Sequence, residues 1–143
     1  MCVDAQQATD TLEIQQLLTE YCRAVDTRDW DRYRRVFTDD AVIDYRSSPF
    51  GIVGTVDEVI VWLEPGLSSL TMTMHYVMNL DIAVDGDSAT VIAQFYNPMQ
   101  IPGFDELSTC GGYYHHTMTR TADGWRSTGM REEIVWFVNS PVG

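Results

Sequence analysis

Ile14, Leu17, Leu18, Tyr21 and Val25 recur at the spacing of one helix face, and the polar residues between them leave a single buried stripe. The pattern predicts one long helix, starting at a cap formed by Asp10 or Thr11. Asp29 through Val36 predict a short second helix carrying Trp30 and Tyr33, ended by Thr38-Asp39-Asp40, and Ala41 to Tyr45 read as a short strand. After a Gly-containing loop from Ser47 to Gly54, Thr55 with Glu58 three residues on fits a capping box and opens a third helix, with Pro65-Gly66 closing it. From Leu70 the period changes. β-Branched and aromatic residues dominate runs near 71–83, 88–99, 109–120 and 124–138, separated by Asp85-Gly86-Asp87, Pro102-Gly103 and Ala122-Asp123-Gly124. These are hairpin signals between long antiparallel strands. Helices first and a strand meander afterwards imply an α+β fold in which a bent sheet wraps over helices.

Length and charge narrow the function. The 143 residues make one domain spanning 1–143, with its core over about 11–137, large enough to enclose a ligand cavity. Nine basic against 21 acidic side chains give a net charge of −12, which disfavours nucleic acid and anionic membrane surfaces. Cys2, Cys22 and Cys110 are too few and too scattered for a disulfide framework or a Cys-x-x-Cys metal site. No basic segment precedes an apolar run, and no apolar stretch approaches the roughly 20 residues that cross a bilayer. A cytoplasmic protein with reduced thiols is expected.

The chemistry concentrates in two segments, Arg23-Ala24-Val25-Asp26-Thr27-Arg28-Asp29-Trp30 and Thr73-Met74-His75-Tyr76-Val77-Met78-Asn79. Asp26 falls roughly 80° from Leu18 around the helix axis, at the edge of the apolar stripe. A carboxylate bonded to one ring nitrogen of a histidine fixes the other as a proton acceptor and stabilises the imidazolium formed on proton uptake. By spacing alone Asp26 equally suits a helix cap, and Tyr45, on one strand face with Ile43 and Ala41, equally suits the core. His75 alternates with Thr73, Val77 and Asn79, while Met74, Tyr76, Met78, Leu80 and Ile82 form the other face. His115 and His116 are adjacent, so only one points inward. With no metal-ligand spacing, no Gly-x-Ser-x-Gly elbow and no phosphate-cradling glycines, chemistry without metal or cofactor is expected. The many methionines and aromatics, Met99 and Phe95 among them, suit an apolar cavity for a small ring-shaped ligand.

The order of elements and these residues resemble the NTF2-like superfamily, in its SnoaL-like branch, over about Thr11 to Phe137. The resemblance implies a cone of curved sheet and N-terminal helices around one apolar pocket. Within it, the fungal scytalone dehydratases and bacterial hexachlorocyclohexane dehydrochlorinases share an Asp at the position of Asp26 and a His at that of His75, a dyad that abstracts a proton next to a leaving group. Asp44-Tyr45-Arg46-Ser47 is similar to a dehydratase stretch whose Tyr polarises the substrate, which implies that role for Tyr45. The chain departs from the dehydratases at Val25 and Met99, where they carry Tyr and His; His115 aligns with their polar Asn, and Arg131 stands near a basic residue of the dehydrochlorinases. The resemblance thus implies catalytic Asp26, His75 and Tyr45, with His115, Arg131, Met99, Trp30 and Phe95 as substrate-binding candidates. The expected activity is a cofactor-independent lyase on a small hydrophobic cyclic molecule. A steroid- or polyketide-type isomerase or cyclase, or a non-catalytic ligand-binding or assembly domain, remains open beside it. A sheet face rich in Tyr, Trp and Val predicts a homodimer or homotrimer.

Overall fold

The computed structural model describes residues 2–140. Helix α1 spans Ala5–Thr27 and begins earlier than predicted. Asp4 accepts from the Gln7 N–H at 2.8 Å while the Gln7 side chain accepts from the Asp4 N–H at 2.9 Å, so the capping box sits there. Asp10 is instead a buried residue of the helix body, bonded to Arg120 Nη1 at 2.8 Å and to Trp125 Nε1 at 3.1 Å. That carboxylate pins α1 to the far end of the sheet. The stripe Ile14, Leu17, Leu18, Tyr21 and Val25 is buried as its spacing predicts.

Helix α2 covers Trp30–Arg34 behind an Asp29 cap, and strand β1 runs Phe37–Asp44. A short strand β2, Val53–Thr55, pairs with it before helix α3, Val56–Ser68, whose cap Thr55 accepts from the Glu58 N–H at 3.3 Å. Pro65 does not close α3. Its missing N–H removes one helical bond, but the turn carrying Leu67 packs against the core, so the helix continues to Ser68.

Strands β3 (Met72–Thr73), β4 (Tyr76–Asp85), β5 (Ser88–Gln100), β6 (Ser108–Thr121) and β7 (Gly124–Val138) complete one curled sheet in the order β2-β1-β7-β6-β5-β3, with β4 also on β5. Only β1 and β7 run parallel. Gly86 and Gly124 take positive φ at the predicted hairpins. Tyr114, Met118 and Met130 on the inner sheet face pack on the α1 stripe to form the core. Among the described residues no helix is long and apolar enough to cross a membrane.

Two irregularities decide which side chains face inward. β3 and β4 are one strand interrupted at Met74–His75, opposite Pro98, which has no N–H to return to the ladder. The Asn97 amide donates to the Met74 carbonyl in its place, at 2.9 Å. Beyond it, Asn79 adopts φ 52° where the β4–β5 register shifts, and this bulge reverses the alternation. His75 and Val77 therefore share the inner side with Leu80 and Ile82, whereas Met74, Tyr76 and Met78 are exposed. The expected division of this strand into faces fails at that bulge.

Candidate active site

α1 ends where Arg28 takes a left-handed conformation and the Asp29 N–H returns to the Ala24 carbonyl at 2.9 Å, which fixes Asp26 in the last turn. Its carboxylate faces the break between β3 and β4. There the His75 N–H, free of the ladder, donates to both carboxylate oxygens, at 3.1 and 3.0 Å, and the His75 ring Nδ1 lies 2.6 Å from Oδ1. A carboxylate that already accepts the backbone N–H accepts from the ring as well, so Nδ1 carries the proton and Nε2 is left as the basic nitrogen. Side-chain exposures of 9 % for His75 and 18 % for Asp26 keep the pair largely out of water.

His75 opens onto a cavity of about 600 Å³ between α3, the loop after β1 and the inner sheet face. Leu63, Met99, Ile134 and Phe137 give it an apolar wall, with Trp62 stacked on Tyr45, their rings 5.4 Å apart. Met99 lines it, and among the described residues it is the one methionine that does. Met118 and Met130 are core, and Met74 and Met78 border a groove on the other side of the dyad, between α1 and β4.

Tyr45 also lines the cavity, but its hydroxyl is shared between Tyr21 at 2.7 Å and Tyr33 at 2.8 Å. It is a member of a buried hydroxyl chain and not a lone donor. Burial holds Tyr21, Tyr33, Tyr45 and Tyr114 well above the ordinary tyrosine range, so all four stay neutral donors. Burial likewise pushes the Cys22 and Cys110 thiols up to about 12, which removes thiolate chemistry at neutral pH.

Four expected lining residues lie elsewhere. His115 is on the outer face of β6, 2.8 Å from Glu133, because its neighbour His116 takes the inward position against Ser127. Arg131 is exposed, since alternation along β7 turns Glu132 inward instead. Trp30 packs edge-on against Tyr33 behind the cavity, and Phe95 stacks on Tyr114 at 4.3 Å, one layer beneath the wall.

Sequence reasoning missed Asn97 and Glu132. Asn97 is buried and lines the cavity, donating to Thr73 Oγ1 at 3.0 Å. Glu132 is 9 % exposed and lines it too, with Oε1 accepting from Ser48 Oγ at 2.6 Å and Ser47 Oγ at 3.0 Å. Burial raises its carboxyl above the usual range, against the two serine bonds and the nearby His75. Its signal was readable: of two successive glutamates on a strand, one must face inward.

The fold recurs in known proteins. A chain from Mycobacterium tuberculosis, the uncharacterized protein Rv2910c, is 40% identical over 121 residues, covering 84% of this chain and 82% of that one. A scytalone dehydratase-like protein from Novosphingobium aromaticivorans superposes with a TM-score of 0.83 at 17% identity, over 95% of this chain and 91% of its own. The hexachlorocyclohexane dehydrochlorinase LinA-type3 from Novosphingobium barchaimii does so with a TM-score of 0.79 at 17% identity, over 95% and 93%. At those identities the likeness is one of fold. The family model described as a SnoaL-like domain matches residues 6–131, nearly the whole cone from α1 to the inward turn of β7, and the chain thereby belongs to the SnoaL-like, NTF2-like family.

Proposed function

We propose that the protein is a cofactor-independent lyase that removes a proton and a neighbouring leaving group from a small hydrophobic cyclic molecule. The observation that carries this reading is His75 in the wall of a cavity of about 600 Å³, with Asp26 bonded behind it at 2.6 Å. A cavity of that size takes a ring system of one or two cycles, and its few polar groups orient what the apolar wall holds. His75 Nε2 takes the proton from carbon and Asp26 stabilises the resulting imidazolium. Tyr45 acts through its chain, holding the Tyr21 hydroxyl toward the ligand. The dehydratase-like and dehydrochlorinase folds support the reaction class by analogy alone. The outer sheet face, with Tyr96 and Trp136 exposed, supports a homodimer or homotrimer.

The experiment is a turnover screen of cyclic hydroxy and halo ketones with wild type, Asp26→Asn and His75→Ala. Each variant should fold and lose roughly 10²–10⁴-fold in rate, the usual worth of general-base help. Full activity in either variant would discard the mechanism.

A further inference from the structure

The dyad supplies a base, yet expulsion of hydroxide also needs an acid, whereas halide leaves without one. Among the described residues, Glu132 is the one carboxyl group in the cavity wall. Its Oε1 carries both serine hydroxyls, and among the described residues its Oε2 has no hydrogen-bond partner. Ser47 Oγ in turn accepts the Ile134 N–H at 3.1 Å, so its own proton is committed to Glu132 and the carboxyl is held in one orientation. The cavity wall contains no Lys or Arg among the described residues, so nothing there neutralises a carboxylate. An unpaired charge in such a place is costly, and the group is pushed toward its neutral form.

Resting on the lyase reading, we infer that Glu132 is the general acid of the site and that the leaving group is a hydroxyl, making the substrate an uncharged cyclic alcohol with an acidified neighbouring C–H. His75 Nε2 takes the C–H proton, the C–H electron pair forms the C=C bond, and the C–O bond breaks. The departing oxygen takes the Glu132 proton and leaves as water. The imidazolium then returns its proton to the Glu132 carboxylate through that water, so the protein is restored and the sum is alcohol to alkene plus water. Ser47 and Ser48 are positioning residues, holding Oε1 so that Oε2 faces the ligand. Anionic ligands are disfavoured by the same lack of cations.

The test uses two probes, a β-hydroxytetralone and its β-acetoxy counterpart, whose acetate leaves without protonation. Glu132→Gln keeps an acceptor oxygen for both serines and removes only the transferable proton. It should lose about 100-fold or more on the hydroxy probe and little on the acetoxy probe, while His75→Ala loses both. Equal effects of Glu132→Gln on the two probes overturn the acid role and leave the dyad standing; retained activity in His75→Ala overturns the dyad itself. A second arm needs no turnover. With ¹³C-labelled glutamate, the Glu132 carboxyl, assigned by its loss in Glu132→Gln, should remain protonated at pH values where exposed glutamates are ionised. A Glu132 carboxyl that ionises together with the exposed ones overturns the proposal whatever either probe does.

Discussion

Asp10, Glu132 and His116 are all buried, and each meets the cost of burial in its own way. Asp10 is matched by Arg120, which holds its carboxyl below the usual range. Glu132 has only hydroxyls and moves toward its neutral form. His116 has a single serine, and burial lowers its ring to about 3. Because Ser127 Oγ donates onward to the Gly129 carbonyl at 3.1 Å, the His116 proton sits on Nδ1 and donates to that serine, leaving Nε2 an acceptor without a partner. The pH consequence has a definite sign. The unfolded chain protonates His116 near its ordinary 6.5 and the folded chain only near 3, so this contribution is intact above pH 6.5 and falls as pH drops through that window. The loss is at most about 1.4 kcal/mol per pH unit. Denaturant unfolding between pH 7 and pH 4 should show a shallower decline for His116→Leu than for wild type; parallel declines would refute the assignment.

At the scale of elements, what was legible in the sequence was local and what was not depended on register. The α1 stripe, the Thr55 cap and the Gly86 and Gly124 hairpins follow from a period or a turn residue and stand where the pattern puts them. Asp10 misled because a residue of good capping type also serves as a buried anchor, and its partner Arg120 is distant in sequence. Pro65 misled because one lost bond is a smaller term than the packing of the turn that follows it. The site residues divide in the same way. Asp26, His75 and Tyr45 were singled out through short motifs shared with the family the chain resembles, and the structure places His75 and Tyr45 at one cavity with Asp26 bonded behind His75. Alternation makes one member of each adjacent pair face inward, but which one, His116 over His115 and Glu132 over Arg131, depends on how the strands are seated in the sheet, which no short window of sequence reveals.

At the scale of the whole molecule, the inner face of the sheet makes the cavity and the outer face carries an aromatic ladder. Tyr76, Tyr96 and Trp136 lie side by side on the outer face, with ring centroids 5.9 and 6.0 Å apart. The Trp136 ring lies flat on the sheet because Gly111 beneath it has no Cβ, which would come within 2.5 Å of the ring. If this ladder is the self-association surface, Trp136→Glu should sediment as a monomer while wild type sediments as a dimer or trimer; a monomeric wild type would remove the proposal. The same curvature brings the end of α1 against the interrupted β3–β4 strand, where the account is most exposed to test. The direct measurement is ¹⁵N–¹H long-range correlation of the His75 ring in wild type and Asp26→Asn. The account predicts a neutral ring protonated at Nδ1 with a bare Nε2 in wild type, and loss of that single tautomer in the variant. An Nε2-protonated ring in wild type, or an unchanged tautomer in Asp26→Asn, would contradict it.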